Sequence, residues 1–225
     1  MTADADLLLT WEIGQALPAD ARLLYLAGAG ADDMAVGAAA AALLARHRAL
    51  FGPLLQGVTD CPDCSAKLDV ACDIDALLGA HTSPGAEHEV VLDDGARVRF
   101  RLPTHADLAA LGDAKDEDTA ALLLLGRCLV GTAASAALVA PIAARMAELD
   151  PLGDPELRLD CAACGSRFSR PLDPAAFLWQ EMSIRAKRLL GQVAALARAY
   201  GWREADILSM SAVRRQAYLD LAEAG

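Results

Sequence analysis

The 225-residue sequence predicts an α+β fold, mainly α-helical, with a small antiparallel subdomain made of a split ribbon and a β-hairpin. Three observations carry this. Hydrophobic residues reach 55% while aromatics are only 4%, an excess of alanine and leucine that favours helices. Period-two alternation of apolar side chains appears at three places, beside two Cys-x-x-Cys units and around Asp93-Asp94-Gly95. Elsewhere the apolar residues recur at spacings of three and four.

Residues 1–58 form the predicted N-terminal helical region. Leu7, Leu8, Trp11 and Gln15 begin one helix, and Pro18-Ala19-Asp20 opens a second. Ala35 to Leu50 give an alanine-rich third that stops near Gly52-Pro53. Gly28-Ala29-Gly30 is not a dinucleotide loop, because Asp33 stands where the third glycine belongs and Arg22–Ala27 is helical rather than extended.

From Thr59 the pattern changes. Cys61-Pro62-Asp63-Cys64 is followed by Leu68, Val70, Cys72 and Ile74 alternating onto one face. Leu157 and Leu159 precede Cys161-Ala162-Ala163-Cys164-Gly165, and Phe168 follows it. Strand, knuckle and strand thus occur twice. The expected subdomain spans 59–172, with ribbon halves at 59–75 and 157–172 enclosing a hairpin over 87–102 and helices over 105–149. In the hairpin, Gly95 takes the left-handed position of a three-residue loop. That sets Val90 opposite Val98 and His88 opposite Phe100 on the buried side, with Glu89 opposite Arg99 and Glu87 opposite Arg101 on the wet side. Cross-strand pairing accounts for the row Arg97, Arg99, Arg101, and a partner-binding stripe is the alternative. The C-terminal helical region, 173–225, starts with Asp173 as N-cap and Pro174 at the first helical position, and its long helix ends at Gly201. Its apolar seam (Trp179, Met182, Ala186, Leu189, Val193, Leu196, Tyr200) is expected to be covered by short helices over 203–208 and 212–223.

Two C-x2-C units supply the four thiolates of a tetrahedral structural zinc site, so Cys61, Cys64, Cys161 and Cys164 are the expected ligands of a structural Zn2+. Four sulfurs leave no open position for a water, which argues against catalytic zinc. Cys72 and Cys128 fall outside ligand spacing and are expected to be small buried hydrophobes. A redox Cys-x-x-Cys is a rival, but such a site has one motif at a helix start, whereas here two are each followed by a strand.

The net charge of −11 disfavours nucleic acid as a partner. It is uneven: residues 1–60 carry 3 basic and 7 acidic groups, 61–165 carry 8 and 18, and 166–225 carry 9 and 6. No membrane partner is expected either. The apolar stretch Thr119 to Ala144 contains Arg127, Gly126, Gly131 and Pro141, and a buried helical hairpin suits it better than a span. The first six residues lack the positive region of a secretory signal, which points to a reducing cytoplasm. His47, His81, His88 and His105 are scattered, Asp116-Glu117-Asp118 suits a solvated helix start, and no phosphate loop, nucleophile elbow or metalloprotease motif occurs. An enzyme is not expected.

Several segments resemble one family. They are Phe177-Leu178-Trp179-Gln180-Glu181, Leu189-Leu190, Ala197 to Leu208 with its Tyr200-Gly201-Trp202, and Arg214-Arg215-Gln216-Ala217-Tyr218-Leu219. Arg99 to Thr104 with Asp107-Leu108, Trp11-Glu12 and Phe51-Gly52-Pro53 extend the match over most of the chain. The family is that of T-even-type phage baseplate hub assembly or baseplate proteins, which also occur in bacterial contractile injection gene clusters. The chain departs from it at Ala194, where the family often carries a histidine. The resemblance implies a non-enzymatic structural or assembly (chaperone-like) role, with other baseplate or tail proteins as partners through helical surfaces, in the cytoplasm or on the assembled particle. The alternatives are a transcription-type zinc ribbon that binds nucleic acid, against which Asp60, Asp63 and Asp160 beside the knuckles count, and a thiol redox protein.

Overall fold

The computed structural model describes residues 2–80, 85–112 and 114–224; His81 lies outside them. Along the chain, α1 (Ala3–Gln15), α2 (Ala19–Ala27) and α3 (Val36–Phe51) precede the hairpin of β1 (Leu54–Asp60) and β2 (Lys67–Asp73). The short α4 (Ile74–Ala80) leads to a second hairpin, β3 (His88–Val91) and β4 (Arg97–Phe100). Then come α5 (His105–Ala109), α6 (Glu117–Cys128), β5 (Leu129–Val130) and α7 (Ala136–Leu149). A third hairpin, β6 (Glu156–Asp160) and β7 (Arg167–Pro171), runs into α8 (Pro174–Tyr200), α9 (Glu204–Ser209) and α10 (Ala212–Glu223). The fold is α+β and mainly helical, with small antiparallel sheets. Two compact units divide it, Leu23–Ala175 and the pair Met1–Arg22 with Ala176–Gly225. The N-terminal helical region is therefore shared between them, and the two boundaries fall inside α2 and at the start of α8.

In the central unit, β4 lies between β3 and β5. The register is His88↔Phe100, Glu89↔Arg99 and Val90↔Val98, as the alternation of side chains requires. Gly95 turns the loop at φ +82°, and the Leu92 amide donates to the Ala96 carbonyl at 2.9 Å. Val98 and Phe100 are thereby buried against Leu125 of α6 and Leu138 and Ile142 of α7. Two features depart from expectation. Leu129–Val130 forms a third strand, paired at Arg99↔Val130 and Phe100↔Leu129, too short to leave a sequence period. And α7 continues through Pro141, which forfeits one backbone hydrogen bond while Leu138 and Ile142 on either side stay buried.

The wet-side ion pairs are staggered. Arg97 pairs with Glu89 at 2.8 Å and Arg99 with Glu87 at 3.3 Å, so each arginine reaches the diagonal neighbour rather than its register partner. Arg101 does not meet Glu87; its guanidinium grips Asp107 at the start of α5 instead. There Thr104 and Asp107 form a capping box, the Thr104 amide donating to Asp107 at 2.9 Å.

α3 has no side-chain cap of its own at Ala35. Its first amides are satisfied from afar: Val36 N–H donates to the Pro103 carbonyl at 3.0 Å, and Gly37 N–H to Asp150 Oδ2 at 2.9 Å. A buried carboxylate at a helix N-terminus is favoured by the helix dipole as well as by the hydrogen bond.

In the terminal unit α8 buries Leu178, Met182, Ala186, Leu189, Val193 and Leu196. The long helix spans Pro174 to Tyr200, and Gly201 ends it at φ +71° with its amide on the Ala197 carbonyl. α1 shares in its cover: the Trp11 indole donates to Ser183 Oγ at 3.2 Å, and Gly14 lies under the Trp179 ring. The Arg22 guanidinium lies over that ring at 4.3 Å while donating to the Gly14 and Leu17 carbonyls. Arg215 of α10 is buried, and its donors are taken by Gln192, the Met210 carbonyl and Asp4. Trp202 stacks on Tyr200 at 4.5 Å and meets Tyr218 edge-on at 4.8 Å.

Candidate metal centre

The first and third hairpins make the same turn twice. β1–β2 is paired from Leu54↔Asp73 to Asp60↔Lys67, and β6–β7 from Glu156↔Pro171 to Asp160↔Arg167. At each closed end sits a Cys-x-x-Cys. Cys61 N–H donates to the Ala66 carbonyl and Ser65 N–H to the Cys61 carbonyl, at 2.9 and 3.0 Å. Cys161 and Gly165 repeat both bonds at 2.8 Å, with Ser166 in the place of Ala66. The first ribbon strand starts at Leu54, inside the 1–58 region expected to be helical. Gly52, at φ +101°, stops α3, and Gln56-Gly57 interrupts the apolar alternation that would have announced the strand.

The two turns bring four sulfurs together. Cys61 Sγ is 3.7 Å from Cys164 Sγ and Cys64 Sγ is 3.7 Å from Cys161 Sγ, and all four lie within 4.8 Å of one another. A tetrahedron of sulfurs about 2.3 Å from a central ion has edges of about 3.8 Å, so the spacing fits a metal ion held by four thiolates. Cys61 and Cys161 are buried, while Cys64 and Cys164 face outward. Arg170 fastens the third hairpin to the first, donating to the Asp60 carbonyl at 3.0 Å with its guanidinium over Phe168.

Backbone amides favour negative charge on the sulfurs of Cys161 and Cys164. The Cys164 and Ala163 amides face the Cys161 sulfur and bring its thiol down to about 7. The Ser166 amide favours the Cys164 thiolate in the same way, but the sulfurs of Cys64, Cys161 and Cys61 and desolvation outweigh it, and that thiol is pushed up to about 12. Four thiolates at this spacing repel one another until a cation sits among them, as a metal does.

The remaining candidates stand apart from this cluster. Burial pushes the Cys128 thiol up to about 11, the Arg101 charge only partly opposing it, and burial likewise raises half-buried Cys72; both stay protonated and unreactive at neutral pH. Asp116 caps α6, its carboxylate accepting from the Thr119 amide at 2.7 Å, as expected for the acidic run. His47, His88 and His105 sit on α3, β3 and α5 respectively. Among the described residues the four cysteines are the one group of three or more metal-ligating side chains close enough to share an ion, and no helix is long and apolar enough to cross a membrane. Buried Asp150 carries no local signature, since its partner Gly37 lies 113 positions away, and Asp107 shows locally only its capping motif with Thr104, not the Arg127 contact 20 positions on.

No protein-family model, curated protein or solved structure matches the chain.

Proposed function

We propose that Cys61, Cys64, Cys161 and Cys164 hold one structural zinc ion, and that the chain is a non-enzymatic structural or assembly component of a contractile, phage-tail-type baseplate. The observation that carries the metal is the 3.7 Å pairing of sulfurs across the two knuckles. Four sulfurs fill a tetrahedral zinc ion, leaving it to hold the two hairpins together rather than to activate water. The baseplate part rests on the resemblance of the Trp179, Tyr200-Gly201-Trp202, Arg214-Arg215 and Arg99-to-Asp107 segments. Exposed Val213 and Leu221 on α10, with Ala217 between them at helical spacing, support helical surfaces as the docking elements toward other tail proteins.

Two measurements test this. Elemental analysis of the purified full chain gives one zinc per chain, and Cys161→Ser loses the ion; a protein that retains its metal and its melting temperature in Cys161→Ser rules the centre out. Iron with a visible thiolate absorption would replace zinc by a redox metal. Affinity purification of the tagged chain from cells assembling contractile particles recovers other tail components. Recovery of none of them overturns the baseplate role.

A further inference from the structure

We propose that Arg127, anchored on buried Asp107 beside Arg101, is a docking point for a carboxylate of an acidic protein segment. Asp107 is already paired without Arg127. Its Oδ2 accepts from Arg101 Nη1, the Thr104 amide and the Thr104 hydroxyl, and its Oδ1 accepts from Arg101 Nη2 at 3.0 Å. Arg127 is a second guanidinium on a carboxylate that one already neutralises, its Nε donating to Oδ1 at 2.9 Å. Asp107 is only 2% exposed, but the Arg127 side chain is 45% exposed. Among the described residues its Nη1 and Nη2 make no hydrogen bond. The result is a positive fork held in place from behind, with its two-pronged end open, the geometry that recognises a carboxylate bidentately.

The neighbours add to it. Arg101, 36% exposed, shares the same carboxylate, and Arg99 stands two residues before it on the same face of β4, with its guanidinium beside Gly131. Two guanidinia, those of Arg101 and Arg127, therefore gather on buried Asp107 where β4 meets the end of α6, while Arg99 is paired with exposed Glu87. The unit around them, residues 23–175, holds 12 basic and 22 acidic groups. A long polyanion laid on this spot would run onto acidic surface, since duplex DNA carries a charge about every 1.7 Å. A single carboxylate feels mainly the cluster, because exposed charges beyond about 8 Å are screened at physiological ionic strength. The preferred ligand is thus an aspartate or glutamate on a partner protein.

The probe is the peptide acetyl-Gly-Glu-Glu-Gly-amide, titrated into the intact chain and followed by the arginine Nε–H resonances in NMR. Saturable shifts are expected at Arg127 and Arg101, and the Gln-Gln peptide gives none. Arg127→Gln leaves Asp107 paired with Arg101 and Thr104, and should weaken the peptide at least fivefold. Arg145→Gln, which removes an exposed arginine of α7, should change it less than twofold. Should Arg127→Gln not fold, Arg127→Lys, which keeps the charge but not the fork, carries the same comparison. Equal binding by wild type and variant, equal shifts from the Gln-Gln peptide, no shift at Arg127, or tighter binding of a single-stranded DNA dodecamer at these resonances would each overturn the proposal.

Discussion

Ser65 and Gly165 occupy the same place in the two knuckles, and only one of them is a glycine. Both lie in the left-handed region, at φ 58° and 76°. A side chain there costs roughly 1–2 kcal/mol, while glycine brings back roughly 0.5–1 kcal/mol of unfolded-state entropy. Ser65→Gly is therefore expected to stabilise the chain by up to about 1 kcal/mol, and Gly165→Ala to destabilise it by up to about 1 kcal/mol, both read as shifts in the urea midpoint. Gly37 is a different case, where space rather than conformation decides. A Cβ added to it would lie 1.7 Å from Asp150 Oδ1, so Gly37→Ala must push the capping carboxylate away. A loss of about 1–3 kcal/mol is expected, with faster amide exchange in the first turn of α3. An unchanged exchange rate there would mean that Asp150 does not cap the helix. The glycine that follows the second Cys-x-x-Cys is readable in the sequence as part of a knuckle. Gly37 is not, because it is fixed by a residue more than a hundred positions on, with no period linking them.

At the scale of elements, the turn from β4 into α5 is locked by charge. Arg101 holds the Asp107 carboxyl well below its ordinary range; burial opposes this, and the Thr104 amide and Arg127 assist Arg101. A carboxylate so depressed contributes stability that is fully present above its unfolded pKa of about 3.9 and is lost as the pH falls through the folded value. Asp107→Asn removes the buried carboxylate on which two partly exposed arginines converge and is expected to cost about 1–3 kcal/mol at pH 7. Urea titrations between pH 7 and pH 2 should show the gap between variant and wild type closing below about pH 4. A gap that stays constant with pH would show that the carboxylate's charge is not what locks the turn. The hairpin register was legible because Gly95 and strict alternation leave one solution. The partners of Arg101 were not: register places Glu87 opposite, but a long guanidinium goes to the most desolvated carboxylate within reach, and burial is a tertiary property. The capping motif Thr104-x-x-Asp107 lay open in the sequence, though only the structure shows that two arginines converge on it.

For the molecule as a whole, the knuckles act on a large excursion of chain. Cys64 and Cys161 stand 97 positions apart. Closing a loop of about 100 residues withdraws about 4.7 kcal/mol of entropy from the unfolded chain, and structural zinc sites contribute about 10–16 kcal/mol at neutral pH. If the cluster holds zinc as proposed, a strong chelator is expected to lower the melting temperature by well over 10 °C and to speed amide exchange across β1, β2, β6 and β7. Coincident melting curves with and without chelator would show that the hairpins stand without metal. All four cysteines of the cluster could be read from the sequence because each pair is local, two cysteines closing one turn. The partition into units could not, since it depends on which helical faces meet, and alanine-rich helices such as α3 offer little asymmetry from which to infer that.

The same turn, made twice about a hundred residues apart, also imposes an order of events on synthesis. A ribosome adds roughly 5–20 residues per second, so the first knuckle emerges roughly 5–20 s before the second. For that interval Cys61 and Cys64 have only two donors to offer, and any ion they capture shares its coordination with water or with foreign thiols until Cys161 and Cys164 arrive.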